Sequence, residues 1–224
     1  MRLFTPNSLI LIILFVLLTS CAHDKPRILI IGDSISIGYT PFVTEQLARR
    51  AAVFHNPGNA QHTGTGLEKI DEWLGTRQWD IVQFNWGLWD LCYRHTDSRV
   101  QGNRDKVNGK ITHTIEAYTS NLDSIVRLLQ SKTDAKLIFV TTSYVPEHEA
   151  GRFKNDALLY NDAAKKIMQE HAVIVNDIYG ESMTIHQKFG KGSDDVHYLK
   201  QGYERLGELV TDFIITELES LEGN

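Results

Sequence analysis

Short apolar runs alternate with amphipathic segments along this chain from Arg27 onward. The apolar runs are typical of buried strands, and the segments between them show the spacing of amphipathic helices. Strands are predicted at Arg27 to Ile31, Ala52 to His55, Asp80 to Asn85, Lys136 to Thr141 and Val173 to Val175. Helices are predicted at Pro41 to Arg50, Leu67 to Leu74, Thr112 to Ser131, Asn155 to Glu170 and Leu199 to Leu218. This alternation predicts an α/β domain with a mainly parallel five-stranded sheet and helices on both faces.

The first apolar run, Ile28 to Ile31, stops abruptly at Gly32 and is followed by Asp33 and Ser34. This pattern predicts a buried strand that ends in a tight turn, where the rigid sheet can hold Ser34 as a reactive side chain. Two other interpretations are open: Ser34 caps the next helix, or the turn binds a phosphate. The sequence disfavours a phosphate site because the turn lacks the G-x-G-x-x-G pattern and no G-K-[ST] follows.

Residues 1–20 are predicted to be a signal peptide. Arg2 precedes an apolar run, Leu9 to Leu18, which is too short to span a bilayer and has the length of a signal-peptide core. The run ends in Leu-Thr-Ser-Cys, with its cysteine at Cys21, and this ending resembles the bacterial lipobox. In a lipobox the cysteine becomes lipidated and N-terminal. The alternative is an ordinary secretory signal whose cysteine is incidental.

The lipobox interpretation divides the chain into a signal peptide (1–20), a short tether (21–26) and a single domain (27–220). It predicts a lipoprotein of the bacterial cell envelope, anchored to a membrane through Cys21. Ala22 lacks the acidic side chain that favours retention at the inner membrane. We therefore expect the outer membrane, if the host has one.

Composition narrows the classes of function. Removal of the predicted 20-residue signal peptide from the 224-residue chain leaves 204 residues, which is long enough for one domain with a full core. Its formal net charge of -5 gives no basic footprint of the kind that nucleic-acid-binding proteins show, so we expect no nucleic-acid partner. Cys92 has no second cysteine to pair with once Cys21 is assigned to the lipobox, so no internal disulfide is expected. We expect a monomer.

Polar and reactive side chains follow several of the predicted strands. Ser34 follows the first strand, His55 to Asn59 the second, Asn85 to Asp90 the third, and Asp194 and His197 come after the fifth. The carboxyl ends of parallel strands meet at one edge of a sheet. A serine becomes a nucleophile when an imidazole takes its proton and a carboxylate orients the imidazole. The spacing of Asp194 and His197 allows the carboxylate to reach one ring nitrogen while the other faces Ser34.

Four sequence blocks together resemble those of the SGNH (GDSL) hydrolase superfamily, over nearly the whole mature chain. They are Gly32-Asp33-Ser34, Gly58 after an Asn-Pro pair, the segment Gly87 to Asp90, and Asp194-x-x-His197. The resemblance implies a flavodoxin-like three-layer sandwich and a serine esterase or acylhydrolase without metal or cofactor. It also implies Ser34 as nucleophile, His197 as general base and Asp194 as the acid that orients it. The backbone N–H groups of Ser34 and Gly58 would be two donors of the oxyanion hole.

The third block departs from the family pattern. The family has Gly-x-Asn-Asp, in which the asparagine amide is the third oxyanion donor, whereas Trp89 occupies that position here. Three groups are candidates to replace it: the Asn85 amide, the Asn59 amide and the Trp89 indole N–H. We favour Asn85, and the alternative for this residue is that it merely caps the end of its strand.

Two other assignments compete with this interpretation of the site. Asp195 is an alternative to Asp194 as the partner of His197. A metal site assembled from histidines and Asp195 is disfavoured, because no H-E-x-x-H or close His-x-His pair occurs. The residues considered for it are His55, His62, His186, Asp195 and His197. We therefore expect no metal, and we expect His186 to be a surface or packing residue.

Two features predict what surrounds the site. Trp86 and Trp89 flank Gly87 and are predicted to line the mouth, where indole rings can stack on a sugar; ordinary packing is the alternative. The long polar loop from Tyr93 to Lys110 follows the third strand, so we expect it to overhang the site. The loop has a net charge of +3 by residue count. A basic rim suits an acidic glycan or a phospholipid headgroup, although a solvated loop without a ligand is an equal alternative.

Two classes of function follow from these observations. The first is an esterase that removes acyl groups, most plausibly acetyl, from a carbohydrate at the cell surface. Within the same chemistry, a lysophospholipase or a short-chain arylesterase is the alternative. The second class is a non-catalytic, glycan-binding relic of the fold, and the missing asparagine is the argument for it.

Overall fold

The computed structural model describes residues 25–222 of the chain. The predicted signal peptide and the predicted lipidation site, Cys21, lie outside the described residues. Within residues 25–222, no helix combines the length and the apolar character needed to cross a bilayer.

A parallel sheet of five strands forms the centre of the domain. Residues 25–222 contain seven strands, of which five belong to this sheet. They are β1 (Arg27–Ile31), β2 (Ala52–His55), β3 (Ile81–Phe84), β4 (Tyr93–Arg94), β5 (Lys110–Ile111), β6 (Lys136–Val140) and β7 (Ile174–Asn176). The central sheet has the order β2-β1-β3-β6-β7, while β4 and β5 form a separate antiparallel pair. Every neighbouring pair in the central sheet is parallel. β3 is buried along its whole length, including the polar Gln83 in its third position.

Six helices cover the two faces of this sheet. They are α1 (Ser34–Gln46), α2 (Thr63–Leu74), α3 (Ile115–Lys132), α4 (Lys154–Glu170), α5 (Tyr179–Phe189) and α6 (Lys200–Glu222). α6 packs against α1 and α5, and α3 packs against α2 and α4. Right-handed crossovers place helices on opposite faces when the chain changes direction along the sheet. The predicted flavodoxin-like three-layer α/β sandwich is thereby confirmed.

The first helix begins earlier than predicted. The helix predicted near Pro41 to Arg50 is observed as α1, which begins at Ser34 and ends at Gln46. The carboxyl group of Asp33 caps this end, since its Oδ1 accepts a hydrogen bond of 2.9 Å from the Ile35 N–H. Pro41 lies inside the helix. The early start places Ser34 in the first turn, directly behind the end of β1.

The strand order reverses direction at β1. The chain leaves β1 for β2 on one side and returns to β3 on the other side. In open α/β sheets, the crevice above the strand ends at such a switch point is the usual binding site. The turns after β1, β2 and β3 therefore converge where a ligand is expected.

Candidate active site

A pocket of about 360 Å³ opens at this switch point. Its lining comes from the turns after β1, β2 and β3, from β4 and the loop that follows it, from Arg152, and from the segment before α6. The lining residues are Asp33, Ser34, Asn59, Leu88, Trp89, Arg94, Gln101, Gly102, Arg104, Arg152, Asp195, Val196 and His197. The volume is within the range of small-molecule sites. The predicted nucleophile and its predicted base thus share one cavity.

The turn after β1 holds Ser34 through close backbone contacts. A Cβ on Gly32 would lie 2.6 Å from the Ser36 Oγ, so only glycine allows this approach. The Gly32 N–H donates a hydrogen bond of 2.9 Å to the Asn56 Oδ1, which fixes the β1 turn to the turn after β2. Burial raises the pKa of the neighbouring Asp33. Ser34 is therefore positioned by a rigid sheet edge and a capped helix.

A hydrogen-bonded relay connects a carboxyl group to the Ser34 hydroxyl. The His197 Nε2 lies 2.9 Å from the Ser34 Oγ. The other ring nitrogen, Nδ1, lies 2.5 Å from the Asp195 Oδ1. These partners assign the proton of the neutral ring to Nδ1, which donates to Asp195, and leave Nε2 as the acceptor for the serine hydroxyl. The arrangement is that of a general base poised beside a nucleophile.

The carboxyl partner of His197 is Asp195, and the prediction that Asp194 fills this position is contradicted by the geometry. Asp195 forms a local turn in which its Oδ1 accepts the backbone N–H of His197 at 2.9 Å as well as the ring Nδ1. Asp194 is exposed and does not line the pocket. The alternative that the sequence left open is the one that the structure contains.

Hydrogen bonding sets the charge state of Asp195. Burial alone would raise the pKa of this carboxyl group, but the hydrogen bonds from the backbone and the ring of His197 outweigh it and lower the pKa. The His186 Nε2 lies 2.7 Å from the Asp195 carbonyl oxygen and holds the segment in place. His186 is buried and packs against Tyr144 and Tyr198, so of the two expected roles, surface or packing, the structure shows the packing role.

The structure does not place the expected oxyanion donors Gly58 and Asn85 at the pocket. Asn85 is buried, and its Nδ2 donates a hydrogen bond of 2.7 Å to the Val140 carbonyl oxygen of β6. Gly58 is exposed, and the pocket is lined by its neighbour Asn59 instead. The Asn59 Oδ1 accepts the Gln61 N–H at 2.8 Å, while its Nδ2 makes no hydrogen bond to the described residues. Asn59 therefore offers a donor where Asn85 does not.

The two tryptophans of the third block have different environments. Trp86 is only 1% exposed, and its Nε1 donates a hydrogen bond of 3.2 Å to the Ala60 carbonyl oxygen. Its ring packs on Trp73, with 6.4 Å between the ring centroids. The predicted substrate contact of Trp86 is therefore wrong, because the residue belongs to the core. Trp89 is half-buried and lines the pocket together with Ser34.

Arg152 was not identified by the sequence analysis. Its Nε donates a hydrogen bond of 2.6 Å to the Leu88 carbonyl oxygen, so it supports the segment that carries Trp89. Its Nη1 lies 2.9 Å from the Glu149 Oε1. Leu88 is distant along the chain, whereas Glu149 lies three residues before Arg152, and neither contact belongs to a motif that the sequence analysis recognised.

Among residues 25–222, no three His, Cys, Asp or Glu side chains come together in a group that could hold a metal ion. His55 instead contacts Ser36, with 2.7 Å between the His55 Nε2 and the Ser36 Oγ. His62 caps α2, where its Nδ1 accepts the Thr65 N–H at 3.3 Å. The histidines considered for a metal site thus have structural partners.

Solved structures share this fold. A lipase/acylhydrolase from Enterococcus faecalis superposes with a TM-score of 0.66 and 21% sequence identity, covering 85% of this chain and 95% of its own. The acetyl xylan esterase AlAXEase has a TM-score of 0.65 at 14% identity, covering 84% of this chain and 99% of its own. An acetylxylan esterase from Geobacillus stearothermophilus has a TM-score of 0.62 at 14% identity, covering 84% and 93%. At these identities the similarity shows the fold.

A family model supplies the assignment that the low identities cannot. No curated protein sequence matches this chain. The model of the GDSL-like Lipase/Acylhydrolase family matches residues 30–205. The matched range includes Ser34 and His197 and most of the described domain. The chain is therefore a member of the GDSL-like lipase/acylhydrolase family of ester-cleaving hydrolases.

Proposed function

We propose that this protein is a serine esterase that removes acetyl groups from a carbohydrate. The proposal rests above all on the relay in which His197 contacts Ser34 at 2.9 Å and Asp195 at 2.5 Å, beside an open pocket. The acetyl xylan esterases with the same fold motivate the choice of acyl group and of sugar. Ser34, His197 and Asp195 perform the ester hydrolysis in this proposal.

Ser34 Oγ attacks the ester carbonyl carbon while its proton passes to the His197 Nε2. The tetrahedral intermediate collapses to an acyl-serine as the bond to the sugar oxygen breaks, and the imidazolium gives its proton to that oxygen, which leaves as a hydroxyl. Water then attacks the acyl-serine by the same relay, which releases acetate and restores Ser34. Asp195 stabilises the imidazolium through the 2.5 Å contact at Nδ1.

Negative charge develops on the carbonyl oxygen of the intermediate. The Ser34 N–H, at the start of α1, is one donor to this oxygen, and the positive end of the helix dipole reinforces it. Asn59 provides the second, through the Nδ2 that has no partner among the described residues. In this proposal, Asn59 takes over the role that the family pattern gives to an asparagine at the position of Trp89.

Turnover tests this proposal directly. Wild-type protein should hydrolyse p-nitrophenyl acetate and release acetate from acetylated xylo-oligosaccharides. Ser34→Ala should lose on the order of 10⁴- to 10⁶-fold in kcat while unfolding at the same temperature. A faster release of fatty acid from lysophospholipids than of acetate from the sugar would favour a lysophospholipase. A wild-type protein that binds acetylated glycans but turns over no ester would establish the non-catalytic alternative.

The cellular location is part of the proposal. A lipidated Cys21 would place the enzyme at the cell envelope, where polymeric glycans are accessible. Wild-type protein from the native host should partition into the detergent phase, whereas Cys21→Ser should not be lipidated. A mature wild-type protein recovered in water-soluble form would contradict the anchor.

A further inference from the structure

One wall of the pocket is strongly basic. Arg94, Arg104 and Arg152 all line the cavity that contains Ser34. Arg94 is the last residue of β4, Arg104 lies in the loop between β4 and β5, and Arg152 comes from the segment before α4. Three guanidinium groups in a pocket of about 360 Å³ repel one another unless carboxylates or a ligand compensate them.

The protein compensates this charge only in part. Glu149 is fully buried, and its Oε1 lies 2.6 Å from the Arg104 Nη1 and 2.9 Å from the Arg152 Nη1. Its Oε2 accepts the Gly151 N–H at 2.7 Å. One carboxyl group therefore serves two arginines, and both of its oxygens already accept hydrogen bonds.

Arg94 has no carboxylate partner among the described residues. Its guanidinium lies over the ring of Trp89, 4.6 Å from the centroid, and its Nη1 donates to the Gly102 carbonyl oxygen. Its Nε and Nη2 make no hydrogen bond within residues 25–222. Burial, and then repulsion from Arg152 and Arg104, lower the pKa of Arg94. A half-buried, oriented guanidinium with free donors is a site for an anion.

We propose that Arg94, held against Trp89, binds a carboxylate of the substrate, so that the ester is carried by an acidic, uronic-acid-containing glycan. This inference rests on the proposed esterase activity and specifies its substrate class. A guanidinium edge matches a carboxylate with two parallel hydrogen bonds. The apolar side chains of the lining are Leu88, Trp89 and Val196, which are too few to enclose a long acyl chain. The pocket therefore favours a sugar acid over a lipid.

A matched pair of substrates isolates the charge. The first is an O-acetylated oligogalacturonide, and the second is the same molecule with its carboxyl groups converted to methyl esters. Released acetate is measured for both. Wild-type protein should prefer the free acid by about tenfold or more in kcat/KM, since only the free acid offers a carboxylate for a charge-assisted bidentate contact. Equal rates, or a preference for the methyl ester, would overturn the proposal.

Variants locate the preference. Arg94→Gln should lower kcat/KM for the acid about tenfold more than for the methyl ester, and Arg94→Lys should restore part of the difference because it keeps the charge without the fork. Arg99→Gln is the matched control, because Arg99 is an exposed arginine of the same loop that does not line the pocket. An equal loss of preference in Arg99→Gln and Arg94→Gln would show that the positive charge of the whole loop attracts the acid and that Arg94 forms no specific subsite.

p-Nitrophenyl acetate separates the two proposals, because it has no carboxylate. If the wild type hydrolyses this ester but does not discriminate between the two oligosaccharides, only the carboxylate subsite is wrong. If it hydrolyses no ester at all, both proposals fall. A kcat/KM for a lysophospholipid above that for the acidic glycan would also reject a sugar acid as the ligand of Arg94.

Discussion

The open pocket at Ser34 and a buried polar cluster around Asp90 contain the same kinds of side chain. In the pocket, His197 stands between the Ser34 hydroxyl and the Asp195 carboxyl group, at 2.9 and 2.5 Å. In the buried cluster, Asp90 contacts the Thr63 hydroxyl at 2.6 Å and the ring of His113 at 2.7 Å. Each region thus brings together a hydroxyl, an imidazole and a carboxyl group.

The two regions differ in connectivity and in access. In the pocket the imidazole separates the other two groups, so the hydroxyl can lose its proton only to the ring. In the buried cluster the Thr63 hydroxyl donates straight to Asp90, and Thr63 and Asp90 are both fully buried. Asn121 also donates to the Thr63 Oγ1, at 3.0 Å. A triad of residue types is therefore a catalytic candidate only when the ring lies in the middle and a substrate can reach the hydroxyl.

The largest expected contrast lies between the two carboxyl groups. Asp195→Asn should lower kcat by about 10⁴-fold without a change in unfolding temperature, because the amide no longer stabilises the imidazolium. Asp90→Asn should leave kcat within about tenfold but reduce the free energy of unfolding by about 1–3 kcal/mol, because the Thr63 N–H and hydroxyl lose a buried acceptor. Hydrolysis of p-nitrophenyl acetate and urea denaturation measure the two effects.

Asp194→Asn is the control for Asp195, since the two residues are adjacent and Asp194 is exposed. It should change kcat by less than about threefold, as expected for a solvated carboxylate outside the relay. A larger loss in Asp194→Asn than in Asp195→Asn would reverse our assignment of the acid.

The next contrast concerns two asparagines. Asn59→Ala should lower kcat by about 10²- to 10³-fold with little change in KM, because an oxyanion donor acts mainly in the transition state. Asn85→Ala should instead reduce the free energy of unfolding by about 1–3 kcal/mol, because the Val140 carbonyl oxygen loses its buried donor.

A second variant tests whether the lower kcat of Asn59→Ala comes from a disrupted turn after β2 instead of a lost donor. Asn59→Asp keeps the oxygen that accepts the Gln61 N–H but removes the free amide N–H groups. It should be at least as inactive as Asn59→Ala while unfolding like the wild type. Near-normal kcat in Asn59→Ala would shift the donor role to the Trp89 indole.

The sequence predicted most of the sheet because a buried parallel strand is typically a short run of mainly apolar residues. The bounds of β1 and β2 agree with the prediction. The start of α1 was missed because the pattern favoured Pro41, whereas the Asp33 cap decides where the helix begins. The bounds of α5 were not predicted, since its apolar positions give a weak periodicity. The order of apolar runs and amphipathic segments therefore predicts the layers of the fold better than it predicts where each helix begins and ends.

At the site, the sequence analysis identified Ser34 from the turn after the first strand and His197 from the chemistry that a serine nucleophile requires. The choice between Asp194 and Asp195 depends on the local turn in which the Asp195 Oδ1 accepts the His197 N–H, and spacing along the sequence does not distinguish two adjacent aspartates. The fate of Asn85 depends on a carbonyl group of β6, and that of Arg152 on Leu88 and Glu149. Leu88 and the β6 carbonyl group are distant along the chain from the residues that contact them, so no local pattern contains these contacts, and Glu149, three residues before Arg152, was not recognised as its partner.

A smaller contrast separates the two tryptophans. Trp89→Ala should raise KM for the glycan several-fold, because the residue lines the pocket and supports Arg94. Trp86→Phe should leave KM unchanged and reduce the free energy of unfolding by about 1–3 kcal/mol, since the Ala60 carbonyl oxygen loses its donor. A rise in KM for Trp86→Phe as large as for Trp89→Ala would contradict the placement of Trp86 in the core.

The smallest expected effect concerns a third hydroxyl and imidazole pair, Ser36 and His55, which has no carboxyl group. Burial lowers the pKa of His55, and its Nδ1 donates to the Asn56 carbonyl oxygen at 2.8 Å. The unfolded chain therefore binds a proton more readily than the folded protein, so stability should fall as pH decreases below about 6.5, by at most about 1.4 kcal/mol per pH unit. His55→Gln should flatten this part of the profile in urea denaturation between about pH 7 and pH 5. An unchanged profile would assign the titration to another group, and a parallel loss of kcat in His55→Gln would show that the Ser36 pair supports the nucleophile turn.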